Sequence, residues 1–181
     1  MTTYCQYCRT HPEDSFNGNY HDTQYGFPLN DDNLLFERLV LEINQAGLSW
    51  ITILKKADNF REAYHRFNVA KVAKYGERDR NRLLADAGII RNRLKVNAAI
   101  VNAQRILELQ KEFGSFKGWL DAHHPRPKEE WVKLFKQTFL FTGGEIVGEF
   151  LLSSGYLPGA HEETCPAYRK IASLRPAWMR K

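Results

Sequence analysis

The chain has 181 residues, of which 43% are hydrophobic and 26% charged. Those are the proportions of a folded domain, and they exclude disordered, collagen-like and low-complexity classes. The length suits one well-buried domain or two lobes on a shared core. No apolar run approaches the ~20 residues of a membrane helix, and no charged-then-apolar leader opens the sequence. The expectation is a cytoplasmic, monomeric protein with no membrane partner.

The net charge of +5 is unevenly placed. Residues 166–181 carry Arg169, Lys170, Arg175, Arg180 and Lys181 with no acid, so the body, residues 1–165, is neutral. Within the body, residues 74–95 are basic, with Lys74, Arg78, Arg80, Arg82, Arg91, Arg93 and Lys95 against three acids. A basic stripe on a neutral body fits a docking face for a polyanion, and equally a solvated helix surface. The division expected is a single domain over 1–165 and a flexible basic tail over 166–181.

Helical periodicity dominates along the chain. The turn-rich stretch from Tyr25 ends in the N-cap candidates Asn30 and Asp31, after which Leu34, Leu35, Leu39, Val40 and Ile43 recur at three- and four-residue spacing up to Gly47. A second helix starts near Ser49 and reaches about Phe67, and a short one follows from Val69 to Tyr75. Asp79 to Ala87 and Asn92 to Phe113 form two helices joined by the tight turn Gly88-Ile89-Ile90-Arg91. Weaker helices follow at 116–122, 128–136 and 145–153. No segment alternates with period two, so the chain reads as all-α.

Four constellations could carry chemistry. In the hairpin over 79–105, Gly88 permits φ > 0 and a close backbone approach. The start of the second helix, flanked by Arg91, Arg93 and Lys95, suits a phosphate. An ordinary αα-hairpin explains the same residues. Cys5-Gln6-Tyr7-Cys8 at one end, His161 and Cys165 at the other, and His21 between them hold enough donors for a zinc site that would staple the termini. Three cysteines without a leader argue for reduced thiols, and a buried free Cys is the plain alternative. Glu42 borders the apolar face of its helix, where a carboxylate is costly unless paired or used; Arg38, four residues earlier, offers a surface ion pair. Tyr20, Tyr25 and Trp50 pack in a core or form an electron-rich box for a flat cation.

Taken together, these residues resemble those of the DNA-3-methyladenine glycosylase I family. Tyr20-His21-Asp22-Thr23-Gln24-Tyr25-Gly26-Phe27-Pro28 is similar to its Y-H-D-x-x-W-G-x-P. Leu41 to Trp50 (LEINQAGLSW) is similar to its L-E-x-x-Q-A-G-L-S-W, Asp86 to Arg93 (DAGIIRNR) resembles its D-A-G-I-I-R-x-R, and His161 with Cys165 matches its H-x3-C. The resemblance implies a helix–hairpin–helix glycosylase fold with a structural zinc joining the N- and C-terminal segments. It implies an enzyme that flips 3-methyladenine out of alkylated double-stranded DNA and excises it. Glu42 would contact the base edge, Tyr20, Tyr25 and Trp50 would line the base pocket, and Gly47, Leu48, Gly88, Arg91 and Arg93 would meet DNA, with Leu48 as the wedge. Cys5, His21, His161 and Cys165 would hold zinc. Cys5 is preferred for the aromatic two residues after it, although Cys8 has the family's spacing to His21.

Departures from the pattern bear on specificity. Tyr25 stands where the family has Trp, Asn17 where a second aromatic is common, and Glu145 near the pocket is either a second acid or a solvated first-turn residue. The sequence has no Gly/Pro-rich loop with a catalytic Asp after the hairpin and no Lys placed for a Schiff base, which fits a monofunctional enzyme without lyase activity. The competing readings are a non-catalytic DNA-binding module and a glycosylase for another cationic alkylpurine. A zinc hydrolase fits poorly, since four protein ligands leave no open position.

Overall fold

A computed structural model describes residues 2–180; Lys181, counted in the basic tail, lies outside them. The described residues form eleven α-helices, two short 3-10 turns and no strand, as the lack of two-residue alternation leads one to expect. No described helix is long and apolar enough to cross a membrane.

Two helices frame the molecule. Asp31 accepts hydrogen bonds from the Asn33 and Leu34 amides (2.8 and 3.0 Å) and so starts α3, Asp32–Gln45. Leu35, Phe36, Leu39, Val40 and Ile43 of this helix are all but inaccessible. Asn92 caps α7, Arg93–Phe113, through the Leu94 and Lys95 amides (3.0 and 3.1 Å). Its Val96, Ala99, Ile100, Ala103 and Ile106 form one buried stripe on a helix about 31 Å long.

Between them run α4 (Trp50–Ala63), α5 (Val69–Val72) and α6 (Glu77–Ala85); α8 (Phe116–His123), α9 (Lys128–Thr138) and α10 (Gly144–Ser153) follow. Helix α3 packs against α4, α5, α7, α8 and α10, so its circumference is apolar on most sides. Asp32 ties α8 to it, accepting from the Phe116 and Lys117 amides (2.8 and 3.1 Å). An aromatic cluster of Phe116, Trp119, Trp131, Phe135, Phe139 and Phe150 fills the space among α8, α9 and α10.

Three expectations change here. Lys95 is buried, and its ammonium donates to the Asn44 and Ala46 carbonyls (2.9 and 2.7 Å), closing the C-terminal end of α3. It is a helix cap and contributes nothing to a surface stripe. Gly88 has no left-handed φ; a Cβ there would stand 3.2 Å from Asn59 of α4. Close packing against Asp86 and Asn59, rather than φ, favours glycine in this turn, and Lys56 and Asn59 hold it by donating to the Gly88 carbonyl (3.3 and 3.2 Å). The segment after Cys165 is folded. Helix α11, Pro166–Ser173, buries Ala167 and Ile171, and the Trp178 amide donates to Gly155 (3.3 Å), while Arg169, Lys170, Arg175 and Arg180 stay exposed.

The periodicity reading has no counterpart for α1 (Tyr4–Thr10) and α2 (Ser15–Thr23). Both are short and polar. Thr3 with Gln6 caps the first and Asp14 the second. The apolar partners of Cys5 come from the far end of the chain, where Cys165 and Ala167 are buried with it.

Candidate active site and metal centre

Helix α1 supplies Cys5, α2 supplies His21, and the loop entering α11 supplies His161 and Cys165. All four are buried, and their donor atoms lie within 4.8 Å of one another. His21 Nε2 is 3.3 Å from Cys5 Sγ and 3.8 Å from Cys165 Sγ; His161 Nδ1 is 3.6 Å from both sulfurs. A tetrahedron with metal–sulfur bonds of about 2.3 Å and metal–nitrogen bonds of about 2.0 Å has sulfur–nitrogen edges of roughly 3.5 Å, so the spacing fits a four-coordinate ion.

The outer shell fits as well. Each histidine spends its other ring nitrogen on an acceptor, His21 Nδ1 on Asp22 (2.7 Å) and His161 Nε2 on the Tyr25 carbonyl (2.7 Å). That leaves an unprotonated nitrogen facing the sulfurs on each ring. The Glu162 amide donates to Cys5 Sγ (3.4 Å). The structure chooses Cys5: Cys8, one turn on, is outside the cluster and half-buried.

The His161 bond fixes the backbone of Tyr25, which leads to the second site. Gly26 follows at φ +81°, where a Cβ would stand 2.8 Å from Ala160 Cβ, so the loop and the metal segment pack at backbone distance. Tyr20 of α2 meets Trp50, the first residue of α4, at 5.1 Å between ring centroids, and Tyr25 at 5.8 Å. Glu42, 4% exposed on α3, completes the group. Its carboxyl is pushed up to about 8 by burial; Arg38 opposes this, and Glu149 adds to it.

The expected surface ion pair between Arg38 and Glu42 is absent. Arg38 is buried, donates to the Ser153 carbonyl (3.0 Å) and lies over the Tyr20 ring at 5.1 Å. Glu42 accepts no hydrogen bond from any described residue. Three buried side-chain polar atoms have no partner among the described residues: the Tyr20 hydroxyl, the Trp50 indole nitrogen and the Trp131 indole nitrogen. Trp131 is in the aromatic core; the Tyr20 hydroxyl lies within reach of the Glu42 charge, and Trp50 packs against the Tyr20 ring. Buried polar groups are nearly always satisfied, so two orphans and an unbonded carboxyl in one place mark a site built for something else.

A cavity of about 710 Å³ opens among α2, α3 and α4 beside Phe16, Leu34, Glu37, Leu54 and Arg61, and shares only Tyr20 and Arg38 with the Glu42 group. Its charged lining is already paired: Arg61 contacts Glu37 (2.7 Å) and Asp58 (2.6 Å). Size favours this cavity, but unsatisfied chemistry favours the Glu42 site.

Two residues of the Glu42 site escaped the sequence reading. Glu145 is exposed, with Lys128 at 3.8 Å, as the solvated alternative had it. The second acid is Glu149, one turn later and half-buried, which accepts from the Tyr25 hydroxyl (3.2 Å). A carboxylate interrupting the apolar run around Phe150 was the available signal. Tyr4 lies edge-on to both His21 and Tyr25 (5.4 and 5.3 Å), and its hydroxyl donates to Asn17 Oδ1 (2.8 Å). It brings an aromatic ring to Asn17, and nothing in the spacing announced it.

Of the residues read as facing DNA, Gly47 ends α3 at φ +82° and presents Leu48, 39% exposed, at the α3–α4 junction. Arg91 and Arg93 are exposed at the start of α7. Asn92 takes the Leu94 and Lys95 amides, while those of Arg91 and Arg93 meet no acceptor among the described residues.

The methyladenine glycosylase family profile matches residues 10–138. The chain is 50% identical over 168 residues to DNA-3-methyladenine glycosylase 1 of Escherichia coli (strain K12), covering 82% of this chain and 89% of that one. Its fold is similar to that of 3-methyladenine DNA glycosylase I from Staphylococcus aureus (TM-score 0.80, 34% identity, 88% of this chain and 95% of that one). It is also similar to a Tyr→Phe variant of a 3-methyladenine DNA glycosylase I in complex with 3-methyladenine (TM-score 0.79, 33% identity, 88% and 96%). On sequence and fold together, the chain belongs to the DNA-3-methyladenine glycosylase I family.

Proposed function

We propose that this protein is a helix–hairpin–helix DNA glycosylase that flips 3-methyladenine out of alkylated duplex DNA and hydrolyses its N-glycosidic bond. The observation that carries the reading is the pair of buried groups without a partner on Tyr20 and Trp50, together with the buried carboxyl of Glu42, in a chain of this family. A relative of similar fold holds 3-methyladenine.

A methylated adenine in DNA is a cation. When the bond from its ring nitrogen to C1′ breaks, the bonding pair neutralises the base, water oxygen bonds to C1′ and the water proton leaves to solvent. The leaving group needs no general acid. The protein must therefore select and hold the cation. Tyr20, Tyr25 and Trp50 offer aromatic surfaces to it, and Glu42 offers a carboxylate to its charge and to the exocyclic amine. With no lysine in the site among the described residues, the reaction ends at an abasic strand. Leu48 fills the vacated stack, and the free amides of Arg91 and Arg93, with their guanidinium groups, take a backbone phosphate at the start of α7.

Cys5, His21, His161 and Cys165 would hold a zinc ion, which supplies a structural crosslink between the ends of the domain and, with four protein donors, no open position for chemistry. Residues 1–165 form the glycosylase domain, and the folded segment after it adds exposed positive charge toward DNA.

The test is incubation of the protein with methylated duplex DNA, followed by chromatography of the free bases and sizing of the strands. Free 3-methyladenine with strands that break only after alkali is the expected result. DNA that is bound but keeps all its bases would leave a DNA-binding module.

A further inference from the structure

Helix α10 brings a second carboxylate, Glu149, near enough to Glu42 to act on its charge. The Tyr25 hydroxyl donates to Glu149 Oε2 at 3.2 Å. The Tyr25 ring is then held edge-on to Tyr4 (5.3 Å) and against Tyr20 (5.8 Å), whose own hydroxyl has no partner although the residue is 3% exposed. The nearby charges are Glu145 on the same helix, Lys128 on α9 and Glu42 on α3. Lys128 pairs at 3.8 Å with Glu145, which is open to solvent, and also acts on Glu149, which makes no ion pair among the described residues. Burial holds its carboxyl above the usual range, and Tyr25 pulls it back. A phenol that donates to a carboxylate becomes more electron-rich, and its face attracts a cation more strongly.

We propose that Glu149 is a specificity residue. Through Tyr25 it makes the pocket select purines that carry a positive charge over neutral purines of the same shape. This rests on the base-excision reading above. It assigns to Glu149 the discrimination that Glu42 alone would otherwise supply, and it makes Tyr25 part of one unit with Glu149.

The experiment uses the full-length protein and two soluble probes, the 3,9-dimethyladeninium ion, which carries its charge at neutral pH, and neutral 3-methyladenine, titrated by the fluorescence of the site tryptophan at fixed neutral pH and salt. Wild type is expected to prefer the cation. Glu149→Gln keeps an acceptor for Tyr25 but removes the charge. It should weaken the cation about tenfold, or about 1.4 kcal/mol, and the neutral base less than twofold. Tyr25→Phe should lose a similar part of the preference, and the double variant no more than either alone, because the two act together. The same pattern should appear as a raised KM with little change in kcat for release from methylated DNA.

Equal loss of both probes in Glu149→Gln would assign it a purely structural role and overturn the proposal, as would an unchanged preference in both single variants. A wild type that releases no base from methylated DNA would sink the excision reading instead. Unaltered thermal midpoints in the variants separate either outcome from misfolding.

Discussion

Glu42→Gln is expected to slow single-turnover release of 3-methyladenine by at least about a hundredfold while making the protein more stable near neutral pH. The loss in rate follows from removing a buried carboxylate that would stabilise the positive charge developing on the sugar as the bond breaks; fixed charges in dry sites carry effects of about this size. The gain in stability follows from the same burial. The folded-state value, pushed up to about 8, lies above the ordinary value of 4.5 for a glutamate. The folded protein therefore keeps a proton that the unfolded chain gives up. Between those two values, stability falls as pH rises, the cost being absent below the lower value and complete above the upper one. For Glu42 it amounts to roughly a few kcal/mol at full development. Denaturant titrations from pH 5 to 9 should show the gap between Glu42→Gln and wild type widening with pH. A variant that is both active and no more stable at pH 9 would contradict the assignment. A cationic base beside the carboxyl reverses the balance, since its charge favours the ionised form and the site gives up its proton as the ligand enters.

Cys5→Ala is expected to remove the bound zinc and unfold the protein, or lower its thermal midpoint by more than about 15 °C, whereas Cys8→Ala should do neither. Structural zinc contributes on the order of 10 kcal/mol, as much as the whole stability of an ordinary domain. Here it would hold α1 and α2, whose periodicity is too weak to hold them. The consequence reaches the pocket. His161 Nε2 binds the Tyr25 carbonyl at 2.7 Å, so freeing His161 also frees the loop that carries Tyr25. Partial loss of zinc should therefore lower base affinity before global unfolding. Metal content by mass spectrometry, with melting curves of both variants, decides it. A folded, zinc-loaded Cys5→Ala, or loss of zinc in Cys8→Ala, would overturn the ligand set.

Which features were legible in the sequence follows from how local their causes are. Asp31 and Asn92 announce α3 and α7 because a cap acts within three residues and an apolar stripe repeats within four. Glu42 stood out because a carboxylate on such a stripe needs a reason. Its escape from Arg38 was not visible. The spacing of four invites an ion pair, but the Ser153 carbonyl, 115 positions away, takes the guanidinium. Glu149 was hidden in the same way, since its partner Tyr25 is 124 positions distant. Lys95 counted as a surface charge because composition cannot distinguish a solvated ammonium from one capping the end of a neighbouring helix. The choice between Cys5 and Cys8 turned on one helical turn of α1, which spacing to His21 could not supply.

If Tyr20, Trp50 and Glu42 form a base pocket, a crystal structure of the protein with 3-methyladenine will hold the ring among Tyr20, Tyr25 and Trp50 with its exocyclic amine at hydrogen-bond distance from Glu42. A base lodged instead in the 710 Å³ cavity among α2, α3 and α4, against Phe16 and Leu34, would place the pocket elsewhere and remove Glu42 from base recognition.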